Sequence, residues 1–313
     1  MSNKVTIIGA GSVGATIAYT MVVNGVASEI VLIDINENKA QGEAMDIVQG
    51  VPFCSPVSIY AGDYSDAKDS DIVILTSGMP RKAGQSRLEL AQVNVDITKS
   101  IIPSIVKYAP DAIYIIVSNP IDILTYQFFK TSGLPANHIL GSGTTLDTAR
   151  LRSRISETFG ISQQNVHACV FGEHGDSSFV PWSLANISNI PIEQYVQCLP
   201  AEKRPEVDYA AIEEYTRKSG AKIIANKGAT FYAIAISVCH ICKCIFSRID
   251  TTLTVSTLMN GEYGIDDVCL STLVVVGKDG AESRLAVPLT PEEEAKLRHS
   301  ADCLKNIING IKF

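Results

Sequence analysis

The chain has 313 residues, 46% hydrophobic and 19% charged, with a formal net charge of −7 at pH 7. That composition is globular, and the acidic balance excludes a nucleic-acid surface, which needs clustered Lys and Arg to neutralise phosphate. There is no apolar run long enough for a membrane helix, and the length suits one large domain or two. Met1-Ser2-Asn3-Lys4 lead into a strand-like run with neither an h-region nor a small-residue cleavage site, so the expected compartment is the cytoplasm.

Val5-Thr6-Ile7-Ile8 reads as a short β-branched strand. Gly9-Ala10-Gly11-Ser12-Val13-Gly14 follows at once, then a helical run to about Asn24-Gly25. A second strand over Glu29 to Ile33 ends at Asp34, 20 residues after Gly14. Strand, Gly-x-Gly-x-x-Gly, helix, strand and acid together make a dinucleotide-binding fingerprint. Gly9 permits the tight turn, Gly11 lets backbone approach a pyrophosphate, and Gly14 lets helix and strand pack closely. These glycines and Val13 would hold the cofactor at a helix N-terminus, whose free N–H groups favour an anion. Asp34 would accept hydrogen bonds from the adenosine ribose and repel a 2′-phosphate, which predicts NAD rather than NADP.

The alternation continues. Helices are expected over Gln41 to Gln49, Ser86 to Tyr108 (kinked at Pro103) and Ile121 to Thr131. Strands are expected over Val57 to Tyr60, Asp71 to Leu75, Ile113 to Val117 and Ile139-Leu140. Six strands alternating with helices predict an α/β fold with a doubly wound parallel sheet of the Rossmann type. Ligands bind beyond the C-terminal ends of such strands. After Leu75 comes a basic loop from Thr76 to Arg87, carrying Ser77, Gly78, Arg81 and Gly84. It reads either as a solvated surface loop or as a hinged lid that brings a cation over an anionic substrate. After Val117 comes Ser118-Asn119-Pro120, where Asn119 offers an amide donor and acceptor at a strand end.

From Gly141 the character changes. Leu146 to Phe159 reads as a helix with Asp147, Arg150, Arg152 and Arg154; Asp147 and Arg150 share a face, as in an ordinary exposed intrahelical ion pair. Val166 to Phe171 reads as a buried strand that delivers Gly172-Glu173-His174-Gly175-Asp176 on a turn. A histidine placed so can move a proton at a small substrate, although a lone turn histidine is more often a packed or surface residue. Helices follow near Asp208 to Lys218, from about Lys227 to Phe246, and over Pro291 to Ile308, the last with Thr290 as N-cap and Glu293 three residues on. Thr252 to Leu258 and Cys269 to Val276 read as antiparallel strands. The expected domains are 1–142, binding NAD, and 143–313, an α+β catalytic domain whose helix at about 227–246 packs back on the first. The eight cysteines include Cys239-His240-Ile241-Cys242-Lys243-Cys244, which has no partner knuckle. It reads as buried reduced thiols in a helix, not as a metal site.

On Gly9 to Gly14 with Asp34, Ser118-Asn119-Pro120, Leu146-Asp147-Thr148-Ala149-Arg150 and Gly172 to Asp176, the chain resembles the NAD-dependent lactate/malate dehydrogenase family from Lys4 to about Leu304. Gly50-Val51-Pro52-Phe53, Gly141-Ser142-Gly143-Thr144, Lys227-Gly228-Ala229-Thr230 and Gly261-Glu262-Tyr263-Gly264 resemble its bacterial L-lactate branch. One stretch departs from that branch: Gly78-Met79-Pro80-Arg81-Lys82 is similar to the malate dehydrogenase lid, where arginine holds a second carboxylate.

The resemblance implies hydride exchange between NADH and a small 2-oxo or 2-hydroxy acid. It implies His174 as acid/base, Asp147 as the partner of its other nitrogen, Arg87 polarising the keto group, and Arg150 pairing the C1 carboxylate. Asn119 would place the substrate oxygen and nicotinamide, and Arg81 and Thr230 would border the substrate's variable end. Ser77, Gly78, Ser118 and Asn119 would line the cofactor site, and no metal is required. Pyruvate/L-lactate is the expected substrate pair, with oxaloacetate/L-malate as the alternative raised by Arg81. A homotetramer is expected, with an anion site for fructose 1,6-bisphosphate at Arg152 and His167; the plain alternative is an interface packing pair. No N-terminal arm precedes Lys4, which predicts a weaker, effector-sensitive assembly. An NAD-using glycosidase would need metal ligands not found in the sequence. A non-catalytic NAD-binding protein would not keep His174, Asp147, Arg150 and Arg87 together.

Overall fold

The computed structural model describes residues 3–80 and 87–313, without the side chain of Arg87. The chain runs β1 (Lys4–Ile8), α1 (Ser12–Asn24), β2 (Glu29–Ile33), α2 (Glu37–Gly50), β3 (Ser58–Ala61), β4 (Ile72–Leu75), α3 (Arg87–Tyr108), β5 (Ile113–Ile116), α4 (Ile121–Ser132) and β6 (Ile139–Gly141). The second half begins with α5 (Thr145–Phe159), β7 (Val166–His167), β8 (Asn186–Ile187), β9 (Ile190–Pro191) and α6 (Ile192–Cys198). It ends with α7 (Tyr209–Lys227), α8 (Tyr232–Ser247), β10 (Thr251–Leu253), β11 (Ser256–Asn260), β12 (Asp266–Ser271), β13 (Val274–Gly277), β14 (Gly280–Arg284) and α9 (Pro291–Ile308).

The main sheet has the order β12-β11-β6-β5-β4-β1-β2-β3. From β6 to β3 all pairs are parallel, the doubly wound Rossmann arrangement. Its strands are apolar on both faces because helices cover both. Val5, Ile7, Ile72, Ile74, Ile113 and Ile115 pack with α1, α2 and α8. Their neighbours Ile8, Val73, Leu75, Tyr114 and Ile116 pack with α3, α4 and α9. This period of two sorts one strand sequence into two cores. A third core lies under α5, α6 and α7, around Leu151, Ile155, Val166, Ile187 and Ile212.

Four expectations about elements need correction. The region 166–171 is buried except at His167, but only Val166–His167 is a strand; the rest spends its backbone bonds on side chains and isolated bridges. The helix expected from Lys227 is two helices, since Gly228 adopts φ +85° and caps α7 with its N–H on the Ile224 carbonyl. Helix α8 starts only at Tyr232. The run Thr252 to Leu258 changes sheet: β10 pairs with β13, whereas β11 extends the main sheet antiparallel beside β6. Likewise Cys269 to Val276 divides between β12 and β13. That switch carries Ser256 and Ser271 to the edge where the His174 turn sits.

Candidate active site

The glycine loop leaves β1 as a cradle. Gly9 has φ +106°, and a Cβ there would lie 2.7 Å from the Ser77 amide nitrogen. A Cβ on Gly14 would lie 1.8 Å from the Gly9 carbonyl oxygen, so no larger residue fits. Beside Gly11 there is open space within 4 Å, and α1 begins there without a side-chain cap. Its first-turn N–H groups thus have no side-chain cap, and backbone at Gly11 can be approached closely, as a pyrophosphate would need. Asp34 ends β2 and fastens the loop: Ala10 N–H donates to its Oδ2 at 2.7 Å and Asn36 N–H to its Oδ1 at 2.9 Å. Val13 packs its side chain partly into the core below. The exits of β4 and β5 form the opposite wall, where Ser118 Oγ donates to the Ser77 carbonyl at 2.6 Å. These residues fit a bound NAD.

Across the sheet's C-terminal edge lies a cavity of about 260 Å³ lined by Asn119, Asp147, Arg150, His174, Thr230 and Ile234, among others. Asp147 occupies the first turn of α5, where the helix dipole favours a carboxylate. Its Oδ2 lies 2.6 Å from His174 Nδ1 and its Oδ1 accepts from Arg150 Nη1 at 2.9 Å. The Asp147–Arg150 pair therefore forms, but in a shielded position: the side chains are 9% and 14% exposed. Nδ1 engaged with Asp147 leaves Nε2 as the ring nitrogen for a substrate. Burial works against charge on His174, yet the Asp147 carboxylate and its hydrogen bond outweigh this and raise the imidazole pKa above its ordinary value. Burial also opposes charge on Asp147, but His174 and Arg150 hold its carboxyl below the usual range.

The turn that carries His174 is held by its backbone. Val170 N–H donates to Thr148 Oγ1 at 3.0 Å, and Thr144 Oγ1 donates to the Val170 carbonyl at 2.5 Å. Phe171 exchanges bonds with Phe179, and Gly172 with Ser271. Glu173 N–H donates to Ser300 Oγ and His174 N–H to Asp122 Oδ2, each at 2.8 Å. A Cβ on Gly172, at φ +93°, would meet Ser300 Oγ at 2.6 Å. So α4, α5, β12 and α9 all fix the turn.

Asp122 escaped the sequence reading. It is 2% exposed and takes a second bond from Ser256 Oγ at 2.6 Å. Burial pushes its carboxyl up to about 6, against the pull of Ser256 and of the His174 N–H. The available signal was an acid in the first turn of the otherwise apolar Ile121-Asp122-Ile123-Leu124. Asn94 carries no comparable signal, being one polar residue among several on the long helix α3.

Arg81 lies outside the described residues, as does the side chain of Arg87, which stands at the start of α3. Arg152 and His167 are both exposed. Arg152 Nε donates to the Ala168 carbonyl at 3.0 Å, and the residue lines a groove of about 560 Å³ with His240. His167 pairs with Asn186 across β7–β8.

The model of the lactate/malate dehydrogenase NAD-binding domain matches residues 3–141, and that of the family's α/β C-terminal domain matches residues 144–312. The chain belongs to the lactate/malate dehydrogenase family. It is 49% identical over 309 residues to an L-lactate dehydrogenase of Acetivibrio thermocellus, covering 98% of this chain and 97% of the relative. The crystal structure of a minor L-lactate dehydrogenase from Enterococcus mundtii superposes with a TM-score of 0.95 at 38% identity, covering 100% of this chain and 99% of that one. An L-lactate dehydrogenase structure from Clostridium thermocellum gives 0.88 at 43% identity, covering 99% of this chain and 100% of that one. As a lactate/malate dehydrogenase the chain is an NAD-dependent oxidoreductase acting on the CH–OH group of a 2-hydroxy acid, with NAD as cofactor.

Proposed function

We propose that this enzyme is an L-lactate dehydrogenase, which reduces pyruvate to L-lactate with NADH and runs in reverse. The geometry that carries the reading is Asp147 bridging His174 and Arg150 on one wall of a cavity beside the glycine cradle. Relatives bearing that name at 46–49% identity over nearly the full chain favour lactate over malate. NAD, when bound, supplies or takes the hydride. Arg150 holds the C1 carboxylate through its planar fork. His174 Nε2 gives its proton to the keto oxygen as the alcohol forms and removes it in reverse. Asp147 holds the Nδ1–H and stabilises the imidazolium. Arg87 polarises the keto oxygen, Asn119 orients it, and Thr230 borders the variable end beside Ile234. Arg81 is the residue through which oxaloacetate would compete. His174→Gln tests the acid/base role: kcat should fall about 10²–10⁴-fold while NADH affinity, by fluorescence titration, stays near that of the parent. Retention of more than about a tenth of the rate would remove His174 from that role.

The division of labour at residues 142/143 belongs to the same proposal, as do a cytoplasmic location and a homotetramer. Among the described residues no helix is long and apolar enough to cross a membrane. Exposed Arg152 and His167 supply cationic and hydrogen-bonding groups of the kind that would take fructose 1,6-bisphosphate between subunits. Pyruvate saturation with and without the sugar bisphosphate decides this: activation supports the anion site, and superimposable curves sink it.

A further inference from the structure

We propose that Asn94 is a positioning residue for the reaction, setting Asn119 through its main chain. The proposal rests on the reading of Asn119 as a substrate-placing residue. Asn94 lies on α3, 2% exposed, between the core residues Ala91 and Val95. Its Oδ1 accepts the Met79 N–H at 2.7 Å. Its Nδ2 donates to the Met79 carbonyl at 3.1 Å and to the Asn119 carbonyl at 2.7 Å. The acceptor and both donors of one carboxamide are thus used.

What they join is specific. The parallel ladder of β4 and β5 ends at Leu75 opposite Ile116. Val117 N–H and Ser118 N–H continue it to the Leu75 carbonyl, and Ser118 Oγ reaches the Ser77 carbonyl. Beyond Ser118 the two chains are tied through the Asn94 amide, which takes both sides of Met79 and one side of Asn119. Asn119 lines the cavity with His174. A rotation of the Asn119 peptide would shift this residue in the cavity wall, and the Asn94–Asn119 bond opposes such a rotation. A Cβ on Gly78 would lie 3.3 Å from Asn94 Oδ1, so the amide also sits close beneath the cofactor wall. An acidic replacement of equal size cannot do this work, because a carboxylate would face two carbonyl oxygens.

Asn94→Asp is the first test, with NADH saturating. Near neutral pH, kcat/KM for pyruvate should fall roughly tenfold or more, with the NADH dissociation constant within about threefold of the parent. The ratio of variant to parent kcat/KM should recover as pH falls toward about 5.5, where the introduced carboxyl takes up a proton and regains one O–H donor. A ratio that stays flat with pH overturns the proposal. Should that variant not fold, a double-mutant cycle of Asn94→Ala and Asn119→Ala decides, each assayed well below its own melting temperature. Asn94→Ala should cost roughly tenfold in the parent but less than about twofold in the Asn119→Ala background. Equal losses in both backgrounds overturn the positioning role. Full activity in Asn119→Ala alone overturns the reading of Asn119 beneath it, and with it the proposal.

Discussion

With Oδ2 2.6 Å from His174 Nδ1 and Oδ1 2.9 Å from Arg150 Nη1, the Asp147 carboxylate holds both the imidazole and the guanidinium in place. The sign of its effect on pH dependence follows. His174 is raised above its ordinary value although burial alone would lower it. The stability this contributes is fully present below the ordinary histidine range and is lost as pH rises through the raised folded value. Under the proposed acid/base role pyruvate reduction needs the protonated ring, so kcat/KM should fall across that same upper range. In Asp147→Asn the two largest influences that raise the imidazole are gone, burial and the Arg150 charge oppose the remaining pull of Asp122, and the midpoint should move down. A pH profile of kcat/KM for pyruvate reads this directly; an unmoved midpoint would show that Asp147 does not govern the imidazole. His174, Asp147 and Arg150 were legible as a set because short motifs name them. Asp122 was not, because an acid in a first helical turn is ordinary until Ser256, 134 residues away, arrives against it.

At the scale of elements, α7 shows what periodicity cannot report. Its C-terminal half is exposed on nearly every side, yet Arg217, Gly220, Ala221 and Ile224 form the stripe that lines the cavity. Gly220 sits in the helix interior, where glycine costs about 1 kcal/mol relative to alanine. The near neighbours of a Cβ there are Arg150 guanidinium atoms at 3.4–3.8 Å, ordinary contact distances. Gly220→Ala should therefore raise stability by up to about 1 kcal/mol, measured by thermal or urea unfolding. A loss of stability would mean that the guanidinium cannot share that space with a methyl group. The break after α7 hid in the sequence for a related reason. Lys227 to Phe246 keeps an apolar character throughout, and a single glycine there is tolerated in a helix. The left-handed turn at Gly228 brings Lys227 Nζ over the rings of Phe231 and Tyr232, 3.4 and 4.1 Å from their centroids, and sets Thr230 at the cavity wall.

At the scale of the molecule, the first six strands were legible because each is a short apolar run closed by a turn signal. The extension of that sheet by β11 and β12 was not. It depends on a change of sheet at Thr254-Val255, a buried pair whose Thr254 carbonyl accepts from Thr145 Oγ1 at 3.2 Å. The extension matters to function, since Ser256 supports Asp122 and Ser271 supports Gly172, on either side of the histidine turn. The glycine loop, the His174–Asp147 pair and Arg150 thus meet along one edge of one sheet, a layout that under the proposed roles serves any small 2-oxo acid. What separates pyruvate from oxaloacetate is the far end of the substrate, a methyl in one and a second carboxylate in the other, and Thr230 and Ile234 line the cavity. An arginine at 81 shut in a closed pocket would be left unpaired by pyruvate at a cost of several kcal/mol, where about 1.4 kcal/mol is tenfold in rate; turned to solvent it carries no such penalty, and that is the arrangement a lactate dehydrogenase requires. The decisive measurement is kcat/KM for pyruvate and for oxaloacetate with NADH, side by side on the parent enzyme and on Arg81→Gln. The account predicts that the parent prefers pyruvate and that the substitution changes pyruvate turnover little. A parent that prefers oxaloacetate, with Arg81→Gln reversing the order, would contradict it.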